Sequence, residues 1–302
     1  RLLDGFQSRL LDAYGTQVIH QAWKPVTVFL NGKYWGHMNL RERVDRFFIA
    51  QFEGLSLDQA DEMDILEANG SVNFGSNKAY RAMLKKIKAG SPATNPDDLQ
   101  YILDNVDVDN LFEYMALEMF VGNSDIGNIR YYRLHQEGSK WKWIWYDADY
   151  GLYSSKFNSP WSYLKVKGMG EQKIDNTIFL KLLEHPDYKR KFLEKLADVY
   201  KTFTTEYMTQ VLDGVLAEIQ PEMKNHWERW GELNDKAVTS EVPTTIDGAY
   251  TYWESRVNRL YNTLKVRPHR LWDFIKDEFK LTKTEMEELF GPQPDYPDDA
   301  VL

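Results

Sequence analysis

Asn31-Gly32, set between Pro25-Val-Thr-Val-Phe-Leu30 and Tyr34-Trp-Gly-His-Met-Asn-Leu40, constrains this chain more than any other local feature. An Asn-Gly step takes the positive φ angles of a tight type I′ turn at low steric cost, so the two runs are predicted to pair as a β-hairpin. A second hairpin is predicted from Ile129-Arg-Tyr-Tyr-Arg-Leu134 and Trp141-Lys-Trp-Ile-Trp-Tyr146, joined by a segment containing Gln-Glu-Gly-Ser. A short strand is expected at Asp64–Glu67, ahead of a Gly/Asn/Ser loop over 69–77.

Most of the remainder has helical spacing. Helices are predicted over 1–14, with Gly15 as the stop, over 41–53, over 77–88 and over 96–121, the last carrying the apolar series Leu111, Phe112, Met115, Leu117, Met119 and Phe120 as core. Residues 151–177 lack periodicity and read as a loop. The stretch from Ile178 to Phe290 is expected to be helical, punctuated by Pro186, Pro221, Pro243 and Pro268, with a helix start near Asp247-Gly248. The proline-rich acidic tail 291–302 reads as a linker or frayed end.

Composition removes several functions. The 302 residues are 43% hydrophobic, enough for one large domain or two lobes. A net charge of −9 disfavours capture of nucleic acid or anionic membrane. No run approaches the ~20 apolar residues of a membrane span. The opening Arg-Leu-Leu-Asp-Gly-Phe lacks the layout of a signal peptide, so a mature or excised piece is expected. With no cysteine there is neither a disulfide, a thiolate metal site nor a thiol nucleophile. The six histidines include no i,i+4 pair, and no Walker A, dinucleotide or nucleophile-elbow sequence occurs.

Carboxylates remain. Asn123-Ser-Asp125-Ile-Gly-Asn128 precedes the second hairpin and Tyr146-Asp147-Ala-Asp149-Tyr-Gly151 follows it. A hairpin returns the chain to its starting end, so Asp125, Asn128, Asp147 and Asp149 are expected to converge. Phosphoryl-transfer kinases use such a layout: one Asp orients the attacking hydroxyl, while an Asn and a second Asp hold Mg²⁺. The same residues are also ordinary turn formers and helix caps.

The flanks add a resemblance. Pro25 to Asp45, Asn123 to Arg133 and Lys140 to Gly151, in that order, together with Trp253-Glu-Ser-Arg-Val-Asn-Arg-Leu260, resemble the CotH-like kinases, an atypical branch of the protein-kinase-like fold named for a spore-coat protein. The resemblance spans 25–260. It implies an α+β, atypical protein-kinase-like architecture with a partial β-rich N-lobe portion over 1–76 (helix, Asn-Gly hairpin, helix), upstream strands missing, and a mostly helical C-lobe over 77–290.

It further implies ATP as substrate, Mg²⁺ or Mn²⁺ as cofactor, and transfer to Ser or Thr of a secreted or surface protein. Asp125 takes the catalytic role, and Asn128 the metal and cofactor role. Asp147 and Asp149 become the metal-binding pair, with Asp147 preferred though the two are not separable. Glu42 falls on the glutamate that pairs a phosphate-binding Lys, or is an exposed helix-start acid; Lys24 is the sole Lys upstream of the hairpin and does not suit that strand. Arg130 and Arg133 read as sheet-surface residues. Two other readings stand beside this one. One is a catalytically inactive pseudokinase-like adhesion or scaffold module. The other is a carbohydrate-binding surface protein using the Trp-rich segment, although Trp141, Trp143 and Trp145 on one strand face suit core packing equally.

Overall fold

The computed structural model describes residues 2–165, 174–230 and 245–300. Asn31 and Gly32 both take positive φ, 52° and 75°, closing β1 (Trp23–Leu30) onto β2 (Lys33–Arg41) as an antiparallel pair. Ahead of them lies α1 (Leu2–Tyr14), which buries Phe6, Leu10 and Leu11 and stops at Gly15, φ 74°. After them comes α2 (Arg46–Phe52), whose first turn Asp45 caps through Phe47 N and Phe48 N. The helix predicted from 41 starts late because Arg41 is still paired to Trp23.

The chain continues through β3 (Met63–Glu67), β4 (Ser71–Phe74), α3 (Lys78–Ala89), α4 (Pro96–Asn105), α5 (Val108–Val121), β5 (Arg130–Leu134) and β6 (Lys142–Ile144). These strands form one antiparallel sheet in the order β4-β3-β5-β6. The sheet takes strands from both sides of the 76/77 division. β4 falls where a loop was expected. The helix predicted over 96–121 is broken at Val106, which bridges to Trp141 while Asp107 caps α5 through Asn110 N at 3.0 Å. A strand contact and a new cap thus divide an unbroken apolar pattern. α5 carries the core as predicted, with Leu111, Phe112, Met115, Leu117, Met119 and Phe120 all buried.

The rest is helical: α6 (Ser159–Leu164), α7 (Thr177–Leu183), α8 (Pro186–Thr202), α9 (Thr205–Trp230), α10 (Ile246–Phe279) and α11 (Lys283–Phe290). α6 occupies part of the segment read as a loop, capped by Asn158 through Trp161 N. Pro186 opens α8, but Pro221 and Pro268 lie inside α9 and α10 rather than between helices; Pro243 lies outside the described residues. Proline frees the carbonyl four residues back. At Pro268 that carbonyl belongs to Leu264, and the Thr205 hydroxyl donates to it at 3.3 Å.

The hairpin sits on α9 at Gly36, where a Cβ would come within 2.7 Å of Trp230 Nε1. That indole donates to Trp35 O at 2.6 Å, and His37 N donates to His226 Nδ1 at 3.1 Å. Segment 291–300, read as a frayed end, is tied along α10: Trp272 Nε1 donates to Gly291 O at 3.1 Å and Lys265 pairs with Asp299. Among the described residues no helix is long and apolar enough to cross a membrane.

Candidate active site

Two loops meet beside the second hairpin. The first continues from α5, which Gly122 ends in a left-handed conformation, φ 66°, with its N–H on Glu118 O at 3.0 Å. The Asn123 side chain then accepts from Asp125 N at 3.1 Å, and Asn128 N donates to Asp125 O at 3.1 Å. An Asx turn and a β-turn in series turn Asp125 and Asn128 outward while Ile126 and Ile129 stay buried.

The second loop leaves β6. Trp145 N donates to Ile19 O at 2.9 Å, fixing the strand end against the chain ahead of β1. Asp147 then adopts φ 49°, a left-handed backbone that is strained for a residue with a Cβ. Gln7 of α1 reaches this loop from the far side of the sequence, donating Nε2 to Ala148 O at 2.8 Å and Gly151 O at 3.0 Å. Gly151 is required there, since a Cβ would lie 2.9 Å from both Gln7 Nε2 and Val121 Cγ2.

The loops join where Asn128 Nδ2 donates to Asp147 Oδ2 at 2.6 Å. Asp125 belongs to the same group: burial raises its carboxyl above the ordinary value, Asp147 and Asp149 raise it further, and a hydrogen bond with Asn128 works in the opposite sense. Asp149 is exposed at the rim and acts electrostatically on both Asp125 and Arg41. The predicted convergence of Asp125, Asn128, Asp147 and Asp149 is therefore present.

Glu42 Oε2 accepts from Ala22 N at 2.8 Å. The cation that feels the acidic group is the neighbouring Arg41. Arg41 pairs with Asp4, donates Nη2 to Gln21 Oε1 at 2.8 Å, and feels the charges of Asp147, Tyr146 and Asp149. Burial lowers its guanidinium from the ordinary value, and those acidic groups oppose the shift.

A family model described as CotH kinase protein matches residues 2–271. The chain belongs to the CotH kinase family. No curated protein matches it. Its α+β architecture, with small sheets and a predominantly helical remainder, is that of a CotH kinase-like fold.

The donor set of this CotH-family chain, Asp125, Asn128, Asp147 and Asp149, is hard oxygen chemistry suited to Mg²⁺ or Mn²⁺. Burial is the larger cause of the raised Asp125 carboxyl, and the negative charges of Asp147 and Asp149 add to it. Among the described residues no three or more His, Cys, Asp or Glu are gathered into a ready metal cage.

Three supporting residues escaped the sequence reading. Arg267 of α10, fully buried, donates Nε to Phe120 O at 2.8 Å, Nη2 to Met119 O at 2.7 Å and Nη1 to Phe157 O at 2.7 Å. Its positive charge thus meets the carbonyl end of α5, and burial pulls it down to about 9. Glu118 accepts from Tyr163 OH at 2.9 Å beneath the Asp125 loop. Burial pushes its carboxyl up to about 7, Asp125 adds to that, and Tyr163, Tyr114 and Asn123 oppose it. Gln7 is the third. Each had a signal: Gln7 falls between Leu3 and Leu10 on the apolar stripe of α1, Arg267 between Leu264 and Leu271 on that of α10, and Glu118 between Leu117 and Met119. A polar residue on an apolar face is buried with partners or is out of place.

The Trp-rich strand offers no sugar platform, because Trp141, Trp143 and Trp145 are all buried and Tyr131 stacks on Trp143 at 5.7 Å. Arg130 is a sheet residue: it donates to Val44 O at 2.7 Å and lies over Tyr146.

Proposed function

We propose that this chain transfers the γ-phosphoryl group of ATP to a Ser or Thr hydroxyl of a secreted or surface protein, with Mg²⁺ or Mn²⁺ as cofactor. The observation that carries the reading is the 2.6 Å bond from Asn128 to Asp147, which joins the two acidic loops beside Asp125. In this mechanism Asp125 accepts a hydrogen bond from the acceptor hydroxyl and takes its proton as the new O–P bond forms and the bond from γ-phosphorus to the β,γ-bridging oxygen breaks. Asn128, Asp147 and Asp149 would hold the cation, which when bound neutralises charge on the phosphates. Arg41, anchored by Asp4 and Gln21, is the cation that faces these acidic residues. A spore-coat or surface setting is inferred from the family alone.

Titration calorimetry of ATP with Mg²⁺ or Mn²⁺ tests the reading. Binding that requires the metal and is lost in Asp147→Ala is expected, as is weaker ATP binding in Arg41→Ala. Full ATP binding by Asp147→Ala, or none by the parent chain, would overturn it and leave the scaffold reading in its place.

A further inference from the structure

Arg130 stands two residues beyond Asn128, at the start of β5, where Glu67 of β3 and Ile144 of β6 are its register partners. Arginine side chains are mostly exposed, yet this one is 15% exposed. Its Nη1 donates to Val44 O at 2.7 Å, its guanidinium lies 4.0 Å from the centroid of the Tyr146 ring, and its Nη2 faces Glu67 Oε2 at 3.6 Å. One buried side chain thus joins β3, the link from β2 to α2 and the loop that leaves β6.

Both groups it holds adjoin the acidic site. Val44 lies three residues after Arg41, and Tyr146 immediately precedes Asp147. Tyr146 and Asp147 are themselves near enough to Arg41 to act on its charge. Asp147 carries the left-handed backbone, φ 49°, and such a conformation persists only where its surroundings enforce it. Gln7 fixes the chain after Asp147, at Ala148 and Gly151, while Arg130 lies over the ring of the residue before it. A guanidinium suits this position, because its flat face rests on an aromatic ring while its in-plane N–H groups donate to a carbonyl. A lysine ammonium, a point charge, cannot reproduce both contacts in the same geometry.

We propose that Arg130 is a positioning residue, a latch that ties the link after Arg41 to the loop of Asp147 and so sets how the site's cation faces its metal-binding carboxylate. The inference rests on the phosphoryl-transfer reading above. Arg130 touches no phosphate in this assignment: its Nη1 is used on Val44 O and its face on Tyr146, so it acts through Arg41 and Asp147.

The test is titration calorimetry of Mn²⁺-ATP into the full chain, its Arg130→Met, Arg130→Lys and Arg41→Ala variants, and the Arg130→Met/Arg41→Ala double variant. Arg130→Met is expected to weaken binding about tenfold, and Arg130→Lys, which keeps the charge, less than about threefold. The losses in Arg130→Met and Arg41→Ala should fall short of adding in the double variant, because the first acts through the second. Additive losses, or parent affinity in Arg130→Met, would overturn the latch. Tyr146→Leu removes only the ring contact and serves in the same cycle should Arg130→Met not fold. Amide hydrogen exchange without nucleotide reads the latch apart from phosphoryl transfer. Faster exchange over both 42–45 and 146–149 in Arg130→Met, with α9 unchanged, supports the latch even where the parent chain binds no metal-ATP, in which case only the kinase reading fails. Unchanged exchange in either segment, in a chain that still binds metal-ATP, would overturn the latch and leave the kinase reading intact.

Discussion

The two loops of the acidic site are built in opposite ways. The Asp125 loop is held mostly by its own neighbourhood: Gly122 caps α5, the Asn123 side chain closes onto Asp125 N, and Glu118 lies one turn below. The Asp147 loop has few local bonds and a left-handed residue at its centre. Gln7 holds it from 141 and 144 positions away, and Arg267 ties the chain beyond it to α5. Local turns place Asp125, whereas long-range contacts place the carboxylate that Asn128 bonds. The second loop is thus the one that distant substitutions should disturb.

The largest effect sharpens the role of the first loop. Asp125→Asn should lower transfer about 10²- to 10⁴-fold, the range for loss of a general base. Metal-dependent ATP binding and the circular dichroism spectrum should stay unchanged, and turnover equal to the parent would remove Asp125 from the mechanism.

Next comes the tie between the loops. Arg267→Met leaves buried carbonyls of Met119, Phe120 and Phe157 without their donor and should destabilise the chain by about 3–5 kcal/mol in urea unfolding. A loss within about 0.5 kcal/mol, the scale of a surface substitution, would show that α5 and the second loop are held by packing alone.

Glu118 gives a pH signature to the first loop. Its carboxyl, raised from 4.5 to about 7 in the folded state, keeps its proton over an interval in which the unfolded chain has released it. Stability is therefore full below pH 4.5 and declines as pH rises to about 7, by up to about 3 kcal/mol. Glu118→Gln should flatten this component of the stability profile and be the more stable protein at pH 8. An unchanged pH dependence would mean that Glu118 titrates normally.

The smallest effect breaks the comparison most directly. Gln7→Ala removes two buried hydrogen bonds and should cost about 2 kcal/mol. Metal-dependent ATP binding should weaken more than in Asn123→Ala, which cuts only a local turn. The reverse order would show that the Asp147 loop holds its own shape.

Elements with strong local chemistry were legible from the residues. The Asn31-Gly32 turn, the stop at Gly15 and the apolar series of α5 all took their predicted forms, since backbone conformation and hydrophobic periodicity act over a few residues. The break at Val106 and the uninterrupted helices through Pro221 and Pro268 were not legible. Each depends on a partner distant in sequence or on position in the packed helix: Trp141 for Val106, the Thr205 hydroxyl for Pro268, and exposure for Pro221. Within the site, the convergence of Asp125, Asn128, Asp147 and Asp149 followed from the return of a hairpin. Arg41 was passed over in favour of its neighbour Glu42, because strand alternation alone does not say which side chain faces a distant loop.

The sequence by itself determined the two hairpins, the core helix and the four oxygen-bearing residues that come together, because turn chemistry and periodicity are local. Only the tertiary structure decided which cation faces them and which buried polar side chains support them. Those depend on burial, and burial turns Gln7, Glu118 and Arg267 from anomalies on apolar stripes into the groups that hold the two loops.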